Sequence, residues 1–137
     1  MSNYLDLNDL ARQIHATAVE KGWYGLDGDE DRNIGEVIAL MHSELSEALE
    51  EWRNPGQPAG LIYFRTSAGG ESIRWPSPDA DYPKMLGKPE GFPVELADCI
   101  IRILDTCHAL KIDIAEAVRI KMEYNATRSY RHGGRKA

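Results

Sequence analysis

The chain has 137 residues, of which 42% are hydrophobic and 28% charged, with 16 Lys+Arg against 22 Asp+Glu and a formal net charge of −6. That length suits a single domain with a core of its own. The acidic balance argues against a protein that binds a nucleic acid polymer through its backbone, because such a protein needs a basic face.

The first ten residues, MSNYLDLNDL, lack the basic stretch and apolar run of a signal peptide. No apolar run reaches the roughly 20 residues that span a bilayer, so the expectation is a cytoplasmic protein without a membrane partner. A first helix is expected from about Asn8 to Lys21, with Asn8 as its cap and Leu7, Leu10, Ala11, Ile14 and Ala18 at helical spacing. The acidic run Asp27 to Asp31 reads as a solvated loop. A second helix is expected from about Asn33 to Trp52, where Ile34, Val37, Ile38, Met41, Leu45, Ala48, Leu49 and Trp52 form an apolar stripe flanked by Glu44 and Glu47. Glu51, four residues after Glu47, extends the acidic ridge by a turn.

Residues 54–92 change character, with prolines at 55, 58, 76, 78, 83 and 89 that exclude a helix. The β-formers of Leu61 to Arg65 and Glu71 to Trp75, separated by Ser67 to Gly70, predict a small hairpin, and Pro76 to Gly91 reads as an irregular loop. A third helix starts near Phe92-Pro93, with proline in the first turn where its missing N–H is harmless, and runs to about Leu110. It is apolar almost all round, which predicts a central position. Asp113-Ile114-Ala115-Glu116 resembles a capping box that opens a fourth helix reaching about Ser129, with Ile114, Ala117, Val118 and Met122 as its stripe. The tail from Arg131 to Lys136 is basic. The fold class expected is therefore all-α: a four-to-five-helix bundle-like core with a small β-hairpin/loop insert between the second and third main helices.

The chemistry lies in two acidic pairs, Glu44-x-x-Glu47 and Glu95-x-x-Asp98. A spacing of three puts both carboxylates of a pair on one helical face. Two such faces brought together hold four anions, which share a small space only when protons or cations neutralise them. Oxygen ligands select a hard divalent cation, Mg²⁺ or Mn²⁺, and with it phosphate chemistry. A second set, Lys121, Asn125 and Arg128, falls on one face of the fourth helix. It reads either as a solvated cationic helix end or as a phosphate clamp.

The other candidates point to structure. Cys99 and Cys107 lie eight residues apart on one predicted helix, roughly 12 Å, too far for a disulfide. His15, His42, His108 and His132 are scattered, and Asp105-x-x-His108 is half of a di-iron pattern without its second copy. Among Trp23, Tyr24, Tyr63, Phe64, Trp75 and Tyr82, core packing is the first expectation and stacking on a nucleobase the second.

The first pair stands in Ser43-Glu44-Leu45-Ser46-Glu47. The second closes the run from Gly87-Lys88-Pro89-Glu90-Gly91 through Glu95-Leu96-Ala97-Asp98. Downstream come Lys121-Met122-Glu123-Tyr124-Asn125-Ala126-Thr127-Arg128 and Arg131-His132-Gly133-Gly134. Together these resemble the MazG-like all-α nucleoside triphosphate pyrophosphohydrolases, a superfamily that includes dimeric dUTPases and dCTP pyrophosphatases. The resemblance covers about residues 30–52 and 87–134. It implies Mg²⁺, with Mn²⁺ as a possible substitute, held by Glu44, Glu47, Glu95 and Asp98. It also implies attack of water at the α-phosphorus of an NTP or dNTP, yielding a monophosphate and pyrophosphate. Glu44 and Glu47 would carry the catalytic role, with Glu44 either a ligand or the residue that orients water, while Lys121, Asn125 and Arg128 would hold phosphate or sugar. Relatives of this kind are homodimers or homotetramers. Ser43 stands where the family's first glutamate would be, which motivates an alternative: a non-catalytic helical oligomer that senses nucleotide or binds a protein partner.

Overall fold

The computed structural model describes residues 6–25, 32–65, 72–75 and 87–130. The acidic run at 27–31, the hairpin turn at 67–70, most of the loop after Trp75 including Tyr82, the side chain of Trp75, and the basic tail with His132 lie outside the described residues. The chain is mostly helical: α1 (Leu7–Glu20), α2 (Ile34–Arg53), β1 (Ile62–Arg65), β2 (Ser72–Trp75), β3 (Lys88–Glu90), α3 (Phe92–Ala109) and α4 (Ile114–Thr127). It divides into two compact units, Met1–Asp29 with Leu104–Ala137, and Glu30–Ile103.

In the first unit α1 pairs with α4. The cap of α1 is Asp6, whose carboxylate accepts the Asn8 N–H at 2.8 Å, and not Asn8 as the sequence suggested. Asn8 instead serves the other helix. Its side-chain amide donates to Asp113 Oδ1 at 2.8 Å, and its Oδ1 accepts the Ala115 N–H at 3.2 Å. An asparagine has both donor and acceptor, so one side chain satisfies the cap of α4 and one of its orphan amides together. Asp113 caps α4 through the Glu116 N–H at 3.0 Å. The Glu116 side chain turns to Arg119 rather than back to the cap, so only half of the capping box forms. The expected apolar stripe of α4 is not a core: Met122 is exposed and no residue of the helix is buried.

The core of this unit is polar where α1 meets the end of α3. Asp105 is 7% exposed, and both its oxygens are engaged. Oδ1 lies 2.8 Å from His15 Nδ1, and Oδ2 accepts the Tyr24 hydroxyl at 2.7 Å. A carboxylate can only accept, so His15 Nδ1 carries the hydrogen. The His108 ring stands 4.9 Å from that of His15, which gives it the structural place expected of it.

In the second unit β1 is the central strand of a three-stranded antiparallel sheet ordered β2-β1-β3. The predicted hairpin is present, with Ile62 opposite Trp75 and Arg65 opposite Ser72. The third strand arises from the segment read as loop. Lys88–Glu90 pairs with Arg65–Tyr63, and Pro89 is tolerated because β3 is an edge. At Gly91 the chain turns from β3 into α3 with φ 117, and its carbonyl receives the Glu95 N–H at 3.1 Å. A Cβ there would lie 2.5 Å from the Leu61 carbonyl oxygen, so only glycine lets the sheet and the start of α3 approach this closely.

The buried face of α2 differs from the expected stripe. Val37, Glu44 and Ala48 are buried with Met41 half-buried, whereas Ile34, Ile38, Leu45, Leu49 and Trp52 are exposed. Likewise α3 is not enclosed, because Ile100, Ile101 and Ile103 are exposed. Its buried line runs instead through Glu95, Cys99, Leu104, Asp105 and Cys107. Both cysteines are free and buried, and burial raises the Cys107 thiol pKa.

Two substitutions test these accounts. Gly91→Ala should lower stability by at least 1–3 kcal/mol, about the cost of a strained backbone residue, because the clash with Leu61 adds to it. Asp105→Ala should cost about 3 kcal/mol or more, since it strips a buried network of its acceptor. Equilibrium urea unfolding of each variant measures both.

Candidate metal centre

Three of the four predicted carboxylates converge. Glu44, Glu47 and Glu95 each offer an oxygen, and these lie within 4.8 Å of one another. Glu44 and Glu95 are 6% and 8% exposed, whereas Glu47 is open to solvent. The sequence sets this up locally. Glu44 sits at the centre of the buried face of α2, Glu47 one turn on, and Glu95 in the first turn of α3. At a helix start the unsatisfied N–H groups favour a negative charge.

Asp98 falls outside this group, although it shares the face of Glu95 and is half-buried. It remains electrostatically part of the site. Burial and then the Glu44 charge raise its pKa, while Arg102 and Lys88 pull it down. The Glu95 pKa is also raised, first by burial and then by the charges of Glu47, Asp98 and Glu44. Two unit charges about 4 Å apart repel by about 4 kcal/mol at an effective dielectric near 20, and the exposure of Glu47 softens this.

Two cations that the sequence did not single out stand at the cluster. Arg102 Nε donates to Glu44 Oε1 at 2.6 Å. Lys88, on β3, lines an open pocket of about 500 Å³ together with Glu47, Glu50, Glu51, Glu90 and Glu95. Five carboxylates therefore face one ammonium. Glu51 takes part as the acidic ridge suggested: its Oε1 accepts the Tyr63 hydroxyl at 2.9 Å, while its Oε2 is buried with no hydrogen-bond partner. Lys88 was visible in the run that precedes Glu95. Arg102 was visible too, seven residues after Glu95 and so on the same face of α3, but nothing in the sequence pairs it with α2.

The residues fit a hard divalent cation. The donors are all carboxylate oxygens, two of them are buried, and their mutual repulsion is what a bound cation relieves. The Ser43 hydroxyl turns to its own helix and donates to the Leu40 carbonyl at 2.7 Å.

Lys121, Asn125 and Arg128 belong to the other unit and are all exposed. Lys121 and Arg128 gather on one ring, 4.9 and 5.8 Å from the centroid of Tyr124. Arg128 lies just past the helix as its C-cap. Of the aromatics, Tyr24 and Phe64 are buried, Trp23 is exposed, and Trp52 packs 5.5 Å from Phe92. Among the described residues no helix is long and apolar enough to cross a membrane.

Comparison of the chain with protein-family models, with curated proteins and with solved structures finds no match.

The raised pKa of Glu95 has a sign that can be tested. The folded chain binds this proton more tightly than the unfolded chain, so the metal-free fold loses stability as pH rises from the ordinary value of 4.5 through the raised one. Glu95→Gln, a neutral mimic, should therefore match the parent at pH 4.5 and below, and should melt higher than the parent at neutral pH without metal. Added Mg²⁺ should raise the melting temperature of the parent and leave Glu95→Gln unmoved. Thermal denaturation across pH, with and without Mg²⁺, reads both outcomes.

Proposed function

We propose that the chain is a Mg²⁺-dependent nucleotide pyrophosphohydrolase that cleaves an NTP or dNTP between its α and β phosphates, releasing a monophosphate and pyrophosphate. The observation that carries this reading is the convergence of Glu44, Glu47 and Glu95 within 4.8 Å at a pocket of about 500 Å³. A polyphosphate does not enter a pocket lined by five carboxylates unless divalent cations come with it. The motif resemblance supports the same reading, and it names the bond that breaks.

Bound Mg²⁺ supplies charge neutralisation on phosphate oxygens and acidifies water. Glu44, Glu47 and Glu95 would hold it, each through one oxygen, with Asp98 beside them. Glu47, the solvent-facing member, would receive on its other oxygen the proton of the water that attacks the α-phosphorus. A new O–P bond forms at the α-phosphorus as its bond to the bridging oxygen breaks, and pyrophosphate leaves with that oxygen. Lys88 stands ready to pair with the phosphates at the pocket wall. The motif resemblance assigns Lys121, Asn125 and Arg128 to phosphate or sugar contacts. The outward apolar residues of α2, among them Ile38, Leu45 and Leu49, support assembly as a homodimer or homotetramer. The two free, buried cysteines suit a reducing, cytoplasmic setting.

One observation favours a second reading. Ser43 replaces an acidic position and bonds to its own helix, which suits a nucleotide sensor that binds without turnover. A panel of NTPs and dNTPs with Mg²⁺, read by pyrophosphate release, separates the two. The enzyme reading expects release with at least one nucleotide, abolished by chelation and restored by Mg²⁺. Glu47→Gln should lower the rate by about 10²–10⁴-fold, the range for losing a general base, with the helical dichroism unchanged. Binding of nucleotide by folded protein without release would establish the sensor instead.

A further inference from the structure

We propose that Arg102 is a positioning residue that holds Glu44 in its cation-binding place and thereby sets the affinity of the centre for a divalent cation. This rests on the reading of Glu44, Glu47 and Glu95 as a cation site.

The geometry is specific. Arg102 lies seven residues after Glu95 and four after Asp98, so the three share one face of α3. From that face Nε reaches across to Glu44 Oε1 on α2 at 2.6 Å, a short charge-assisted bond. The Glu44 side chain is 8% exposed and that of Arg102 35% exposed, so the bond joins a buried carboxylate to a partly solvated guanidinium. A buried carboxylate in a crowd of like charges lowers its energy by rotating away. A guanidinium bonded to one of its oxygens opposes that rotation. A carboxylate has about four lone-pair sites, so this bond leaves capacity for a cation. Arg102 brings one positive charge against three converging carboxylates, too little to neutralise them. It orders the centre without substituting for the ion. Hydrogen-bond partners behind metal-binding carboxylates commonly affect metal affinity by about 10–100-fold when removed.

The test uses the full chain and the metal alone. Mg²⁺ and Mn²⁺ are titrated calorimetrically into the parent, Arg102→Met, Glu44→Gln and the double variant, with dichroism confirming the fold of each. Arg102→Met should weaken binding by about 10–100-fold. The double variant should bind no more weakly than Glu44→Gln alone, because Arg102 acts through Glu44. An Arg102→Met protein that binds either metal as tightly as the parent, or losses that multiply in the double variant, overturns the role of Arg102 and leaves the cation site standing. A parent that takes up neither metal overturns both. If Arg102→Met does not fold, Arg102→Gln, which keeps an amide donor and loses the charge, is read against the same outcomes.

Discussion

Mutual repulsion among carboxylates on the facing surfaces of α2 and α3 is the constraint around which the second unit is arranged. Glu44 and Glu95 are buried where apolar residues would ordinarily sit, and Glu47 completes a group within 4.8 Å. Such a group is costly without a counter-charge. The neighbouring chemistry answers that cost. Arg102 bonds to Glu44, Lys88 lines the shared pocket, and Glu95 sits in the first turn of α3, where the helix dipole favours a negative charge. Apolar residues that would otherwise be core, such as Leu45 and Leu49 on α2 and Ile100 and Ile101 on α3, face outward.

The β insert serves the same place. Tyr63 on β1 holds Glu51 at the far end of the acidic ridge, and β3 carries Lys88 and Glu90 to the pocket wall. Gly91 lets β3 run into α3 at a distance from Leu61 that no side chain permits. The strand, the turn and the start of the helix therefore fix where Glu95 stands. The Glu51 oxygen that is buried without a partner marks this pocket as a place where a bound group would complete the hydrogen bonding.

The first unit solves a different problem with the same type of residue. Asp105 is buried and fully partnered by His15 and Tyr24, so it ties α1 and the turn after it to α3 through hydrogen bonds. Two acidic residues ten apart on α3, Glu95 and Asp105, are thus both buried. Asp105 has protein donors on both oxygens, whereas Glu95 faces other carboxylates. That difference, and not burial alone, separates a structural acid from a candidate ligand.

Most of the helical layout was legible in the amino-acid order, because caps, prolines and a period of 3.6 act within one or two turns. Asp113 as a cap, Pro93 in a first turn, and the two acidic pairs are local facts of this kind. The hairpin was legible from its β-formers, but β3 was not, since three residues containing a proline become a strand only when β1 lies beside them. The tertiary structure alone decided which face of α2 is buried, that Glu44 joins Glu47 and Glu95 while Asp98 stands apart, and that Arg102 meets Glu44 across 58 residues. It also moved Asn8 from capping its own helix to capping α4, 105 residues away. Spacing along a helix specifies which side chains share a face. Which face meets which is settled by contacts between distant segments, where burial, charge and hydrogen bonding are balanced together.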